Sequence, residues 1–382
     1  MKTKNLVPIF IGILMGVFCP KANACTGITL TSADGTTIVA RTIEWGGTNL
    51  NSMYVIVPRG HTTQSYTPSG VDGMMFTARH GYVGFAVEQQ EFITEGLNER
   101  GLSAGLFYFP HYGEYVPYNP QNKHNTISDF QLVSYILGEC TTIEEVKEAV
   151  ANIDIVNIDP RSSTVHWRFI DASGHQVVLE IVNRQAHFYD NPLGVFTNSP
   201  GFEWQLTNLN NYVNLYPGSA PAQNLHGMRL APFSYGSGML GLPGDFTAPS
   251  RFVRAAFFQS SAPQQPTAEG TVRQCFQILN CFDIPIGVEF GLDEVPVDDM
   301  LTATQWTTAT DMQHRKIYFR TMYNPIIQCI DLNSINFRKA KYQATHFDSV
   351  KQQPIKELRI FATSESKTKL CLSCAERSKN HD

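Results

Sequence analysis

Residues 28–45 write a β-hairpin, and this constrains the fold more than any other local pattern in the chain. Ile28 and Leu30 alternate with Thr29 and Thr31, Asp34-Gly35 supplies a turn, and Ile38 to Trp45 returns as a second strand. A tight turn joins antiparallel neighbours, whereas a parallel pair needs a long crossover. Residues 53–57 and 83–87 continue in the same style, with a turn-rich stretch at 61–73 that reads as a loop. Two helices follow, each announced by a capping-box pattern, Ser128 with Gln131 and Thr142 with Glu145. Gly138 closes the first, and Val146, Ala149, Val150 and Ile153 keep helical spacing in the second. A further β block then alternates Val165, Trp167 and Phe169, turns at 171–174, and returns through Val177, Leu179 and Ile181. Residues 201–247 are loop-rich. Ser250 is placed to cap a helix through Phe258, a second helix is expected over 268–281, and a closing hairpin pairs 304–310 with 315–321. No internal repeat and no linker divides this body.

The N-terminus carries a second constraint. Lys2 and Lys4 precede an uncharged apolar run from Leu6 to Phe18, Pro20 and Lys21 break it, and Ala22-Asn23-Ala24 then forms an A-x-A site before Cys25. This is the pattern of a removable secretory signal over residues 1–24, and the run is too short for a comfortable membrane span. The expected mature chain is therefore exported, to a bacterial periplasm or the medium, and begins at Cys25. Cleavage would place a free α-amine on the residue that carries the thiol. Position alone leaves two other readings open. Cys25 could be an acylated lipoprotein cysteine, although Ala22 stands where such sites usually carry Leu. It could also be a strand cysteine or half of a disulfide.

Loss of 24 residues from 382 leaves 358, enough for one large core. The signal holds three lysines and no acid, so 29 basic residues fall to 26 against 34 acidic ones, net −8. No basic stripe interrupts the body, which excludes a nucleic-acid partner, and no second apolar run is long enough to span a bilayer. Seven cysteines remain (Cys25, Cys140, Cys275, Cys281, Cys329, Cys371 and Cys374). An odd number leaves at least one thiol without an intramolecular partner. The tail at 362–382 turns polar and basic and reads as disordered. Its Cys371 and Cys374 form a C-x-x-C with neither the strand and helix of a redox motif nor the second pair of a zinc site, so incidental thiols or one local disulfide is expected.

Two motifs are chance matches. Gly101-Leu102-Ser103-Ala104-Gly105 fits G-x-S-x-G, but the aromatic run after it reads as strand where a nucleophile elbow needs a helix. Gly236, Gly238 and Gly241 fit G-x-G-x-x-G, but Pro243-Gly244 follows where a helix must start. No H-E-x-x-H occurs, and the eleven histidines lack ligand spacing.

An N-terminal cysteine can serve as its own base. The α-amine ionises near 7.7–8.0 and the thiol near 8.5, so a useful fraction of neutral amine lies beside the thiol at neutral pH. Such a site wants a positive group for the thiolate, a carboxylate or amide to hold the amine, and oxyanion donors. In this light the chain resembles the choloylglycine hydrolase and penicillin V acylase family of N-terminal-nucleophile hydrolases, from residue 25 to about 340. CTGITL resembles the nucleophile strand, with Cys25 as nucleophile. ARTIEW at 40–45 resembles the second strand, with Arg41 beside the thiol, Glu44 where the family usually has Asp to orient the amine, and Trp45 at the substrate. NERGLSAGLFYFP at 98–110 puts Tyr108 at an oxyanion-hole position that also shapes the substrate pocket. FTNSPGFEWQLTNLNNY at 196–212 makes Asn198 the second oxyanion donor, LPGDFTAPSRF at 242–252 places Arg251 at the remaining catalytic arginine, and QWTT at 305–308 also fits. Taken singly, the arginines read as salt-bridge partners, Asn198 as a turn residue and Trp45 as core; their joint order carries the likeness.

The resemblance implies an α+β fold, a four-layer αββα sandwich of two antiparallel sheets, as one catalytic domain over 25–361. It implies hydrolysis of a non-peptide linear amide of a small molecule, with no metal and no cofactor, in a chain that assembles as a homotetramer. Conjugated bile acids are the first substrate class, penicillin V and acyl-homoserine lactones the alternatives. Tyr108 tilts toward penicillin V acylases, since bile salt hydrolases commonly have Asn there. A lipid-anchored binding protein is the reading of another class.

Overall fold

The computed structural model describes residues 24–158, 163–291 and 301–358. The expected signal up to residue 23 and the C-x-x-C of the tail lie outside the described residues. In chain order the principal strands are β1 (Ala24–Thr31), β2 (Thr37–Trp45), β3 (Met53–Val57), β4 (Tyr82–Ala86), β5 (Ile93–Asn98), β6 (Ser103–Tyr108), β7 (Val165–Ile170), β8 (Gln176–Val182), β9 (Gln185–Asp190), β10 (Ala303–Asp311), β11 (Lys316–Thr321), β12 (Gln328–Asp331) and β13 (Gln343–His346). The helices are α1 (Leu132–Glu139), α2 (Ile143–Ala151), α3 (Phe202–Asn208), α4 (Ala248–Ser261) and α5 (Ala268–Leu279).

Two antiparallel sheets carry the fold. One has five strands in the order β1-β2-β10-β11-β12, the other eight in the order β9-β8-β7-β6-β5-β4-β3-β13. Helices α4 and α5 pack on the outer face of the first sheet, while α1 lies on β5 and β6, and α2 on β9, outside the second. The result is the expected α+β sandwich with helices on both outer faces. Strand β2 sits between β1 and β10, which explains why eight of its nine residues are buried.

The alternation in β1 separates two buried faces rather than an inside from an outside. Thr26, Ile28 and Leu30 face the helices, where Thr26 Oγ1 accepts a bond from Arg251 on α4. Cys25, Gly27 and Thr29 face the second sheet, where Thr29 Oγ1 donates to Gln176 Oε1 of β8 at 2.9 Å. Because opposed residues share a face, register pairs Gly27 with Arg41 on the inter-sheet side and Ala24 with Glu44 on the helix side.

Three local expectations need correction. Thr142 and Glu145 do form the full capping box, but Ser128 and Gln131 do not. Ser128 accepts from the Phe130 N–H, residues 129–131 make one 3₁₀ turn, and α1 starts at Leu132. Gln131 Oε1 instead accepts from the Ser65 hydroxyl and the Tyr66 N–H, buried or part-buried donors that need an acceptor. Helix α4 starts before Ser250, at Ala248. Pro249 presets the backbone of the first turn, and Asp245 accepts from Thr247 and Ser250 ahead of it. The loop at 61–73 includes a short strand, Thr62–Gln64, paired with Met75–Thr77. Both chance motifs read correctly: the first runs from the turn after β5 into β6, and the second contains a single 3₁₀ turn, Ser237–Met239.

Candidate active site

Asn198 gathers the site. It follows Phe196, whose backbone pairs with Gly27 in an isolated bridge that presses this loop onto β1. Its Oδ1 accepts the Cys25 N–H at 2.8 Å and Arg251 Nη2 at 2.8 Å, and its Nδ2 donates to the Tyr108 carbonyl at 2.7 Å. One buried amide thus ties β1, the end of β6 and α4 together. In this structure the Cys25 nitrogen is still a peptide nitrogen bonded to Ala24. It stands in for the α-amine of a chain that begins at Cys25.

Arg251 reaches in from the first turn of α4. Its Nη1 donates to the Cys25 carbonyl and to Thr26 Oγ1, and its Nε donates to the Phe246 carbonyl at 2.8 Å. A guanidinium that presents five N–H donors in a planar fork can orient both the Cys25 backbone and Asn198, which an ammonium could not.

Arg41 projects from the other face of the sheet, between the two sheets. Its Nη1 donates to the carbonyls of Leu106 at 2.6 Å and Thr94 at 3.1 Å, and its guanidinium carbon lies 3.9 Å from the centre of the Phe107 ring. Cys25 is 4% exposed. Burial pushes its pKa up, as does Glu44, while Arg41, Arg251 and a hydrogen bond from the Tyr108 backbone N–H pull it back.

Glu44 is buried on the helix side. Its Oε1 accepts from Thr304 Oγ1 at 3.2 Å, and its Oε2 has no hydrogen-bond partner among the described residues. Burial raises its pKa to about 7 against the pull of Arg251, Thr42 and Arg41. A buried carboxylate with an unpaired oxygen, at the strand position that pairs with Ala24, is arranged to receive a cation.

The structure therefore brings Cys25, Arg41, Glu44, Tyr108, Asn198 and Arg251 to one place. Trp45 closes β2, half-buried, with its indole N–H donated to Thr48 Oγ1 and its carbonyl accepting from Gln305. Sequence reading missed Thr26, Thr304 and the carbonyls of Thr94 and Leu106. Thr26 was within reach of reasoning, since a polar residue beside the nucleophile on a buried strand must find a partner. Among the described residues no group of three or more His, Cys, Asp or Glu is placed to hold a metal ion, and no helix is long and apolar enough to cross a membrane.

A family model described as linear amide C–N hydrolases, choloylglycine hydrolase family, matches residues 25–350. The chain is 30% identical over 320 residues to a bile salt hydrolase/transferase of Clostridium perfringens, covering 82% of this chain and 93% of that protein. A penicillin V acylase of Pectobacterium atrosepticum is 24% identical over 337 residues, 81% of each chain. Among solved structures, a cysteine-to-alanine mutant of the conjugated bile acid hydrolase from Clostridium perfringens is similar with a TM-score of 0.77 and 27% identity, over 88% of this chain and 100% of that one.

Proposed function

Since the chain belongs to the choloylglycine hydrolase family of linear amide C–N hydrolases, we propose that it is an exported hydrolase of conjugated bile acids whose nucleophile and base are both supplied by Cys25. The observation that carries this reading is the convergence of the Cys25 nitrogen, Tyr108 and Arg251 on the single amide of Asn198. Removal of residues 1–24 frees the α-amine, and the family match begins at that residue.

The neutral amine takes the thiol proton, directly or through one water, and the thiolate attacks the substrate carbonyl. The Tyr108 N–H faces the sulfur and the second hydrogen of Asn198 Nδ2 is available beside it, so the two stabilise the tetrahedral oxyanion. The protonated amine then donates to the leaving nitrogen, releasing glycine or taurine, and water hydrolyses the thioester. Arg41 favours the thiolate, Arg251 fixes the Cys25 backbone, and Glu44 receives the ammonium form of the amine. Trp45 borders the acyl pocket. Each of these chemical roles is played by the chain's own groups, the Cys25 α-amine, the Tyr108 N–H and the named side chains, without a cofactor.

Penicillin V is the second substrate reading, favoured by Tyr108 and by the likeness to a penicillin V acylase. Acyl-homoserine lactones follow on the same chemistry. Self-association up to a homotetramer belongs to the proposal as well. Its support is the projecting segment 213–242, where Leu225, Met228, Phe233, Tyr235 and Leu240 are all exposed. Parallel assays with taurocholate, penicillin V and a long-chain acyl-homoserine lactone test the reading. Taurine release by the wild type and its loss in Cys25→Ser, with the fold retained, are expected. Undiminished release by Cys25→Ser would end the assignment, and turnover of only one of the other two substrates would reassign the pocket.

A further inference from the structure

Behind Arg41 lies a charged cluster that the reaction does not use. Arg168 of β7 donates through Nη2 to Glu95 Oε1 of β5 at 2.7 Å, and Glu95 Oε2 lies 3.5 Å from Arg41 Nη1. These side chains are 0%, 3% and 0% exposed for Arg168, Glu95 and Arg41. Phe107 is wedged among them, 3.9 Å from the Arg41 guanidinium carbon and 5.7 Å from that of Arg168. The backbone reserves room for the cluster at two glycines. A Cβ at Gly105 would lie 2.5 Å from Glu95 Oε2, and one at Gly27 would lie 3.1 Å from Phe107 Cζ. Two guanidiniums share one carboxylate, so the buried cluster carries one positive charge in excess, a costly arrangement for a dry interior.

We infer that Glu95 and Arg168 are positioning residues for the reaction: the Arg168–Glu95–Arg41 bridge holds the Arg41 guanidinium against the second sheet and sets how much of its positive charge reaches the Cys25 sulfur. Glu95 alone would neutralise Arg41. Arg168 takes half of that carboxylate and restores the field. The other groups facing the sulfur are Glu44 on β2, Arg251 on α4 and the Tyr108 N–H on β6. On the far side of Phe107 stands a further titratable pair, His166 with Glu180, held to each other at 3.1 Å. The catalytic meaning of this bridge rests on Cys25 being the nucleophile, but the titration of the sulfur is read without turnover, so the two ideas fail separately.

The test is the pH dependence of iodoacetamide alkylation of Cys25 in the mature enzyme, read by mass on the N-terminal peptide so that the exposed Cys281 and Cys329 do not contribute. Arg168→Met removes a positive charge and should move the midpoint up by about 0.5–1 unit. Glu95→Gln removes the negative one and should move it down by a similar amount, and Arg168→Lys should return it toward wild type. The acid limb of kcat/KM should follow in the same directions. Midpoints that stay in place, or that move the same way in both variants, overturn the inference. Should Arg168→Met fail to accumulate, the isosteric Glu95→Gln decides alone: a downward shift supports the bridge, and any other result refutes it.

Discussion

Glu44→Gln separates the chain that retains Ala24 from the chain that begins at Cys25. With Ala24 attached, burial holds the Glu44 pKa at about 7 against 4.5 unfolded. The folded chain therefore binds a proton more readily, so this contribution to stability is full below about pH 4.5 and is lost as pH rises through 7. A difference of about 2.5 pH units corresponds to about 3 kcal/mol, of which about 2 kcal/mol falls between about pH 5.5 and 8.5. Glutamine does not titrate. In an Ala24-retaining protein, urea denaturation followed by tryptophan fluorescence should therefore show the wild type losing about 2 kcal/mol relative to Glu44→Gln over that range. In a protein that begins at Cys25, an α-ammonium paired with Glu44 would keep the carboxylate charged, so the same comparison should be nearly flat. The same pH dependence for wild type and Glu44→Gln in the Ala24-retaining chain would show that burial does not raise the Glu44 carboxyl in this way.

Two further outcomes follow from the geometry. Asn198→Ala removes an oxyanion donor and the shared acceptor of Cys25 and Arg251, so kcat should fall by about 10²–10³, measured by product release at saturating substrate; a change of less than about threefold would contradict its role. Gly105→Ala drives a methyl into Glu95 Oε2 and should cost about 1–3 kcal/mol in urea denaturation, a cost that shrinks if Glu95→Gln, made in the same chain, lets that side chain turn away.

Much of this was legible along the chain, and the rest was hidden for physical reasons. The hairpin of β1 and β2 and the Thr142–Glu145 box are local, written by residues within a turn of each other. The Ser128–Gln131 box was misread because the partners that claim Gln131 lie more than sixty residues away, at Ser65 and Tyr66. Cys25, Arg41, Glu44, Asn198 and Arg251 were legible as residue types in order, yet Asn198 is 173 positions from the nitrogen it binds, and no spacing encodes that contact. The alternation of Ile28 and Leu30 with threonines marks a strand but does not say what covers each face; helices bury one side and the second sheet the other. Glu95 and Arg168 passed unnoticed inside apolar strands. The signal was their charge itself: Arg168 stands between Trp167 and Phe169, where a strand with both faces covered leaves an ion nowhere to go but to a counter-ion.

Activity by this route requires a free amine on Cys25. Mass analysis of the N-terminal peptide from purified, catalytically competent material should give a chain beginning at Cys25 with its amine and thiol both unmodified. Full turnover by protein that still carries Ala24, or that bears a diacylglyceryl group on the Cys25 sulfur, would contradict it.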